Sequence, residues 1–186
     1  MRPTISKLPP WEVTRLEVDE LALCPWRDGD ARAIAAAYQD DPEIPRRTGF
    51  PYAMTEAQAR AYILERRHGW NTGAKAAFGI FDGHRQLLGS VSLLAIDWTR
   101  REAEVGFWLA RKARGRGVAV RALDRIIRWA AELRLLRLTA TVELTNEASR
   151  RVLERARFVQ ERLAPENRVL HGQSIHEYVY ARRLFE

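Results

Sequence analysis

The stretch Val105-Gly-Phe-Trp-Leu-Ala110, continued by Arg111-Lys-Ala-Arg-Gly-Arg-Gly-Val-Ala119, runs from an apolar strand through a basic, glycine-containing loop straight into a helix. Such a strand-loop-helix suits an anion. Gly115 and Gly117 remove the Cβ where the backbone turns and approaches a ligand, and the free N–H groups at the positive helix end suit phosphate. Arg114 and Arg116 add charge at the rim. A solvated basic turn is the plain alternative. Two nucleotide motifs fail here: a Walker A loop needs Lys-Ser/Thr where Val118-Ala119 stands, and a dinucleotide fingerprint needs glycine where Val120 stands.

Downstream of the loop, Val120, Leu123, Ile127, Ala130 and Leu133 recur at helical spacing, with Arg121, Arg125, Arg128 and Glu132 on the opposite face. Arg137 to Val142 alternates as a strand, Asn146 to Ala156 reads as a helix, and Phe158 to Leu163 with Ile175 to Leu184 forms a closing strand pair. Upstream, Ala76 to Phe81, a turn at Asp82-Gly83, Gln86 to Ile96 and Ala103 to Ala110 make an antiparallel meander. Leu21 to Trp26 is the first core strand. Two helices follow it: one capped by Asp28-Gly-Asp30, the other opened by the capping box Thr55-Glu-Ala-Gln58 and running to about His68. The strand-helix-strand passage from Ala103 to Val142 requires a right-handed parallel crossover within an otherwise antiparallel sheet. The fold class is therefore α+β with a mixed sheet. Residues 1–20, containing Pro3, Pro9 and Pro10, read as an arm or edge strand, and residues 21–186 as one domain.

Composition narrows the function. With 46% hydrophobic and 30% charged residues the 186-residue chain is globular. No apolar run reaches membrane-spanning length and no secretory leader is evident. Cys24 is the lone cysteine and the four histidines lack metal-ligand spacing, which points to a reducing cytoplasmic setting and no metal. The net charge is +7, and only Lys7, Lys75 and Lys112 among 31 basic residues are lysines. Arginine filling solvated helix faces accounts for that excess; nucleic-acid binding is disfavoured because no basic stripe is interleaved with stacking aromatics. Trp70, Trp98, Trp108 and Trp129 read as core or interface residues, and Cys24 as a small core residue.

The pattern R-x-x-G-x-A, met by Arg114, Gly117 and Ala119, resembles the GNAT superfamily of acetyl-CoA-dependent N-acyltransferases. Leu23-Cys-Pro-Trp-Arg27, Pro51-Tyr-Ala-Met-Thr55, Gly89-Ser-Val91, Glu104-Val-Gly-Phe-Trp108 and Asn146-Glu-Ala-Ser149 to Phe158 are similar in order and spacing to its RimJ/RimL-like branch. The likeness runs from about Leu21 to Leu184. It implies a sheet splayed at its parallel strand pair. Acetyl-CoA would lie in the gap, its pantetheine against Phe107, Trp108, Leu109 and Asn146, its diphosphate on Arg114, Gly115, Arg116, Gly117, Val118 and Ala119. Asn146 also reads as a helix N-cap.

The implied activity is direct acetyl transfer to a primary amine, either a protein N-terminus or a small-molecule amine. A non-catalytic acyl-CoA sensor or partner domain and transfer of succinyl or another acyl group are the alternatives. Direct attack needs a neutral amine, hence a base. The resemblance assigns that role to Glu104, which could instead point outward toward Arg100 or Arg101; Glu166 and Glu143 compete. A backbone N–H at Trp108 or Leu109 would hold the oxyanion. Where many relatives carry a thiolate-protonating tyrosine this chain has Leu153, leaving Ser149, Tyr178 or Tyr180; Ser149 could equally be an ordinary first-turn residue. Arg157 replaces the usual glycine before Phe158. A homodimer, with an acceptor site shaped by Arg46 to Tyr52 and Pro165 to Ser174, also accords with the family.

Overall fold

A computed structural model describes residues 8–185, with backbone alone at positions 166 and 167. Strand β3 (Ala76–Phe81) is buried along its whole length, sending Ala76, Phe78 and Ile80 into one hydrophobic cluster and Ala77 and Phe81 into another. A strand buried on both sides forces helices onto both faces of its sheet. Helices α1 (Ala31–Asp40) and α3 (Glu56–Asn71) contribute Ile34, Tyr38 and Ile63 to one cluster; α4 (Val118–Glu132) contributes Leu123, Ile126 and Trp129 to the other. There Trp129 stacks on Trp70 at 5.9 Å and meets Phe78 edge-on at 5.2 Å.

The strands are β1 (Leu16–Val18), β2 (Leu21–Pro25), β3, β4 (Leu87–Asp97), β5 (Glu102–Leu109), β6 (Arg137–Glu143), β7 (Val159–Leu170) and β8 (Gln173–Arg183). They form one sheet ordered β1-β2-β3-β4-β5-β6-β8-β7, in which β5–β6 is the parallel pair. The meander, the long helix and the crossover thus stand where the periodicities put them. Helix α5 (Glu147–Arg155) sits between β6 and β7. Among the described residues no helix is long and apolar enough to cross a membrane.

Four local features differ from the expectations. A short helix, α2 (Glu43–Thr48), occupies a segment in which Pro42 and Pro45 mask helical character. The β3–β4 connection is not a two-residue Asp-Gly turn: the Asp82 carboxylate accepts the His84 and Gln86 amides, and Arg85, at φ 58°, takes the left-handed conformation. The closing hairpin is longer than its apolar core, because β7 carries Pro165 past register shifts flanking that segment. Finally, Val120 is half-buried at the cavity described below, while Ala122 and Ile126 complete the buried stripe of α4.

Candidate active site

Strands β5 and β6 pair only through Glu102–Arg137, Ala103–Leu138 and Glu104–Thr139. Beyond that point they part. Each stays tied on its outer side, β5 to β4 as far as Leu109 and β6 to β8 as far as Glu143, so the opening is a fork between intact ladders. On the β4 side one extra residue is inserted between Leu94 and Asp97, with Ala95 at φ 46°; such a bulge bends the strand and increases its twist. The inner backbone edges of Val105–Leu109 and Ala140–Glu143 line a cavity of about 640 Å³. Backbone groups released from a ladder need partners, so the fork is a receptive edge for an amide-containing chain.

The basic loop closes one end of this cavity. Gly115 and Gly117 both adopt φ 72°, and a Cβ on either would meet nothing within 4 Å. Glycine is used here for its left-handed backbone, and the space beside it is open. Gly117 precedes Val118, the first residue of α4, whose leading N–H groups have no partner within the helix. Gly115, Gly117, Val118 and Ala119 line the cavity, whereas Arg116 is exposed outside its lining. Arg114 does not stand free at the rim. Its guanidinium donates to the Leu109 carbonyl at 3.0 Å and approaches Asp41 Oδ2 at 2.5 Å. That approach is close but not aligned as a hydrogen bond, since Asp41 Oδ2 lacks a hydrogen-bonded donor among the described residues. Arg114 therefore fastens the loop to the end of α1 and to β5.

Glu104 sits at the branch point. Its Oε1 accepts the Thr141 hydroxyl at 2.7 Å across the fork, and Glu104 lines the cavity, with no ion pair to Arg100 or Arg101 among the described residues. Asn146 and Ser149 come together at the start of α5: Asn146 Oδ1 accepts the Ser149 amide at 3.2 Å, which caps the helix, and both residues line the cavity. Phe107, Trp108 and Leu109 line it as well. Tyr180 does not. It is buried, and its hydroxyl is held by Glu154, Gln160 and Arg150. Tyr178 lies under the Arg150 guanidinium at 4.9 Å and is likewise absent from the lining. The Glu166 side chain lies outside the described residues.

Glu143 lines the cavity but is bound to arginines. Arg47 Nη1 reaches it at 3.0 Å and Arg46 Nη1 at 3.4 Å, while both arginines also grip Glu43. Burial pushes the Glu143 carboxyl up, but the Thr145 hydroxyl and the two guanidinium groups outweigh it, so Glu143 titrates below the usual range. Sequence alone gave no sign of this network, which joins positions nearly a hundred residues apart. Tyr38 of α1, Phe50 beyond α2, Tyr62 of α3 and Trp108 of β5 wall the far end, packed edge-to-face at 5.2–6.0 Å. Burial, foremost, holds the Tyr38 hydroxyl well above its ordinary range, so it remains neutral.

Comparison with known proteins agrees with this architecture. The acetyltransferase (GNAT) domain family matches residues 20–159. A Bacillus subtilis (strain 168) protein named "Putative ribosomal N-acetyltransferase YdaF" is 35% identical over 102 residues, 54% of this chain and 54% of that protein. The match thus spans about half the length of that relative. Among solved structures, a RimL ribosomal L7/L12 alpha-N-protein acetyltransferase in complex with coenzyme A superposes with a TM-score of 0.85 at 20% identity, covering 91% of this chain and 98% of that one. Mycobacterium smegmatis RimJ in complex with CoA-disulfide gives 0.83 at 23%, covering 91% and 86%. At these identities the structural likeness establishes the fold.

Proposed function

The chain belongs to the GNAT acetyltransferase family, and on that premise we propose that it transfers the acetyl group of acetyl-CoA directly to a primary amine. The observation carrying this reading is the fork: β5 and β6 separate immediately after Glu104, above a glycine turn whose Cβ positions face open space. The residues fit acetyl-CoA. Phe107, Trp108, Leu109 and Asn146 would bind the pantetheine arm, and the amides of Arg114 to Ala119 the diphosphate. Arg116, outside the lining, would contribute long-range charge rather than a wall.

Glu104 would accept the proton of the attacking ammonium, directly or through water, leaving the amine lone pair to attack the thioester carbonyl. Thr141, donating to Oε1, fixes the carboxylate's orientation and leaves Oε2 without a hydrogen bond among the described residues. Glu143 suits this task less, being held ionised and saturated by two arginines. As the C–N bond forms, the carbonyl oxygen becomes an oxyanion, which an inward N–H of β5 at Trp108 or Leu109 would hold; such donors contribute roughly 3 to 4 kcal/mol. The C–S bond then breaks. Ser149, on the cavity wall, would donate a hydrogen bond to the departing thiolate, which takes up the proton that the newly acetylated nitrogen releases; Tyr178 and Tyr180 are turned to other partners.

Similar proteins whose names specify an acceptor include ribosomal-protein acetyltransferases and a spermidine N-acetyltransferase, which makes a protein N-terminus the first acceptor class to try and a small-molecule amine the second. We place the reaction in the cytoplasm and in a homodimer; Cys24 is buried and unpaired, and edge strand β7 exposes Val159, Leu163 and Val169. Thiol release from acetyl-CoA, with mass spectrometry of the acceptor across a panel of N-terminal peptides and amines, tests the reading. Acetylated product that falls roughly 100-fold or more in rate on Glu104→Gln supports it. Acetyl-CoA binding with no product from any acceptor would indicate the non-catalytic sensor instead.

A further inference from the structure

One cation at the acceptor end of the cavity has no hydrogen-bonded anion among the described residues. Arg66 lies on α3, lines the cavity, and keeps only 15% of its side chain exposed. Its guanidinium stacks over the Tyr62 ring at 4.7 Å and approaches the Phe50 ring at 5.9 Å. The nearest carboxylate, on the adjacent residue Glu65, comes within 3.3 Å of Nε without hydrogen-bond alignment, and the same carboxylate is drawn off by Lys75. Nε is consequently buried with no hydrogen-bond partner. The neighbouring arginines differ: Arg46 and Arg47 are bonded to Glu43 and Glu143.

A guanidinium whose Nε is buried without a partner is costly unless something compensates it. Stacking on two aromatic rings supplies part of that compensation and orients the guanidinium. It leaves the planar N–H fork unused, and that fork matches a carboxylate in two parallel hydrogen bonds. We propose that Arg66 is a specificity-determining residue that recognises a carboxylate on the acceptor, so that the favoured substrate is an amine accompanied by an acidic group. The carboxylate can come from a free amino acid or from an acidic side chain near a peptide N-terminus. The aromatic walls formed by Phe50, Tyr62 and Trp108 would cover the apolar part of that acceptor.

This inference rests on the proposed acetyl transfer, and its test separates the two. Pairs of acceptors differing only by carboxylate against carboxamide, namely glutamate with glutamine and Ser-Asp with Ser-Asn peptides, are compared by kcat/KM and by calorimetric binding to the enzyme–CoA complex. Wild type is expected to favour the carboxylate member of at least one pair by roughly 10- to 100-fold, the range for a charge-assisted hydrogen bond. Which pair responds distinguishes the amino-acid from the peptide source. Arg66→Gln should erase the preference while leaving carboxamide binding and acetyl-CoA affinity within about 2-fold, and Arg66→Lys should restore it in part, since lysine offers charge without the fork. Equal use of both members by wild type, or a preference that survives Arg66→Gln, would overturn the inference. If Arg66→Gln unfolds, wild type and Arg66→Lys still decide: an unchanged preference in Arg66→Lys defeats the fork argument. Discrimination in binding without acetylated product would sink the proposed activity and leave this assignment standing.

Discussion

Removing the two ends of the Arg114–Asp41 contact should have unequal consequences. Asp41 keeps 5% of its side chain exposed and Arg114 keeps 43%. Arg114→Ala strands a buried carboxylate, and breaking such a pair from the cationic side costs about 3 kcal/mol. For a chain of this size that corresponds to a fall of roughly 6–12 °C in Tm. Asp41→Asn leaves behind a guanidinium that can rehydrate and retains an oxygen where Asp41 Oδ1 accepts the Glu43 amide at 3.0 Å, so it should cost only about 1 kcal/mol. The double variant removes the stranded charge and should resemble Asp41→Asn, giving a coupling energy of about 3 kcal/mol in a urea-denaturation cycle. Additive effects, or Asp41→Asn proving the more damaging, would refute the asymmetry and with it the claim that Arg114 fastens the loop through a buried anion.

Two further outcomes follow from the geometry. Arg157 stands at φ 61° after α5, where the Phe158 amide bonds the Leu153 carbonyl and the Arg157 amide bonds that of Glu154, the arrangement in which glycine is favoured. Arg157→Gly relieves about 1–2 kcal/mol of left-handed strain against about 0.4–1 kcal/mol of added chain entropy, so thermal unfolding should show a net gain of roughly 0.5–1 kcal/mol. Glu43 and Glu143, held below their ordinary range, anchor α2 to β6. A depressed folded-state carboxyl contributes stability that is present above its unfolded value and lost as pH falls through the folded one. The stability gap between wild type and Glu143→Gln should therefore be widest near pH 7 and close below about pH 4; a gap that widens in acid would contradict the network.

How much of this was legible in the sequence depended on the range of the interaction. The meander and α4 follow from apolar periodicity, a local signal strong enough to place Ala76–Phe81 to the residue. The glycine turn was legible because only glycine readily accepts the backbone that Gly115 and Gly117 adopt. Glu104's inward direction was undecided until β6 brought Thr141 beside it, since a strand's two faces differ only by what packs on each. Helix α2 was hidden because proline suppresses helical expectation without forbidding a first turn, where the missing N–H is not needed. Arg114 could not be distinguished from Arg116 by sequence: both flank Gly115, and only tertiary proximity to Asp41 turns one of them inward. The unengaged edge of the Arg66 guanidinium is equally invisible in sequence, because it depends on how the Glu65 carboxylate is drawn toward Lys75.

The gap between β5 and β6 as the seat of acetyl-CoA is tested most directly by titration calorimetry of acetyl-CoA into wild type and Gly117→Glu. Glutamate would place a bulky, negatively charged side chain in the open space beside Gly117 and a strained φ on the loop. One-to-one binding by wild type, reduced roughly 100-fold or more in the variant while its folded baseline persists, is the expected result. Undetectable binding to wild type, or equal binding to both proteins, would contradict the account.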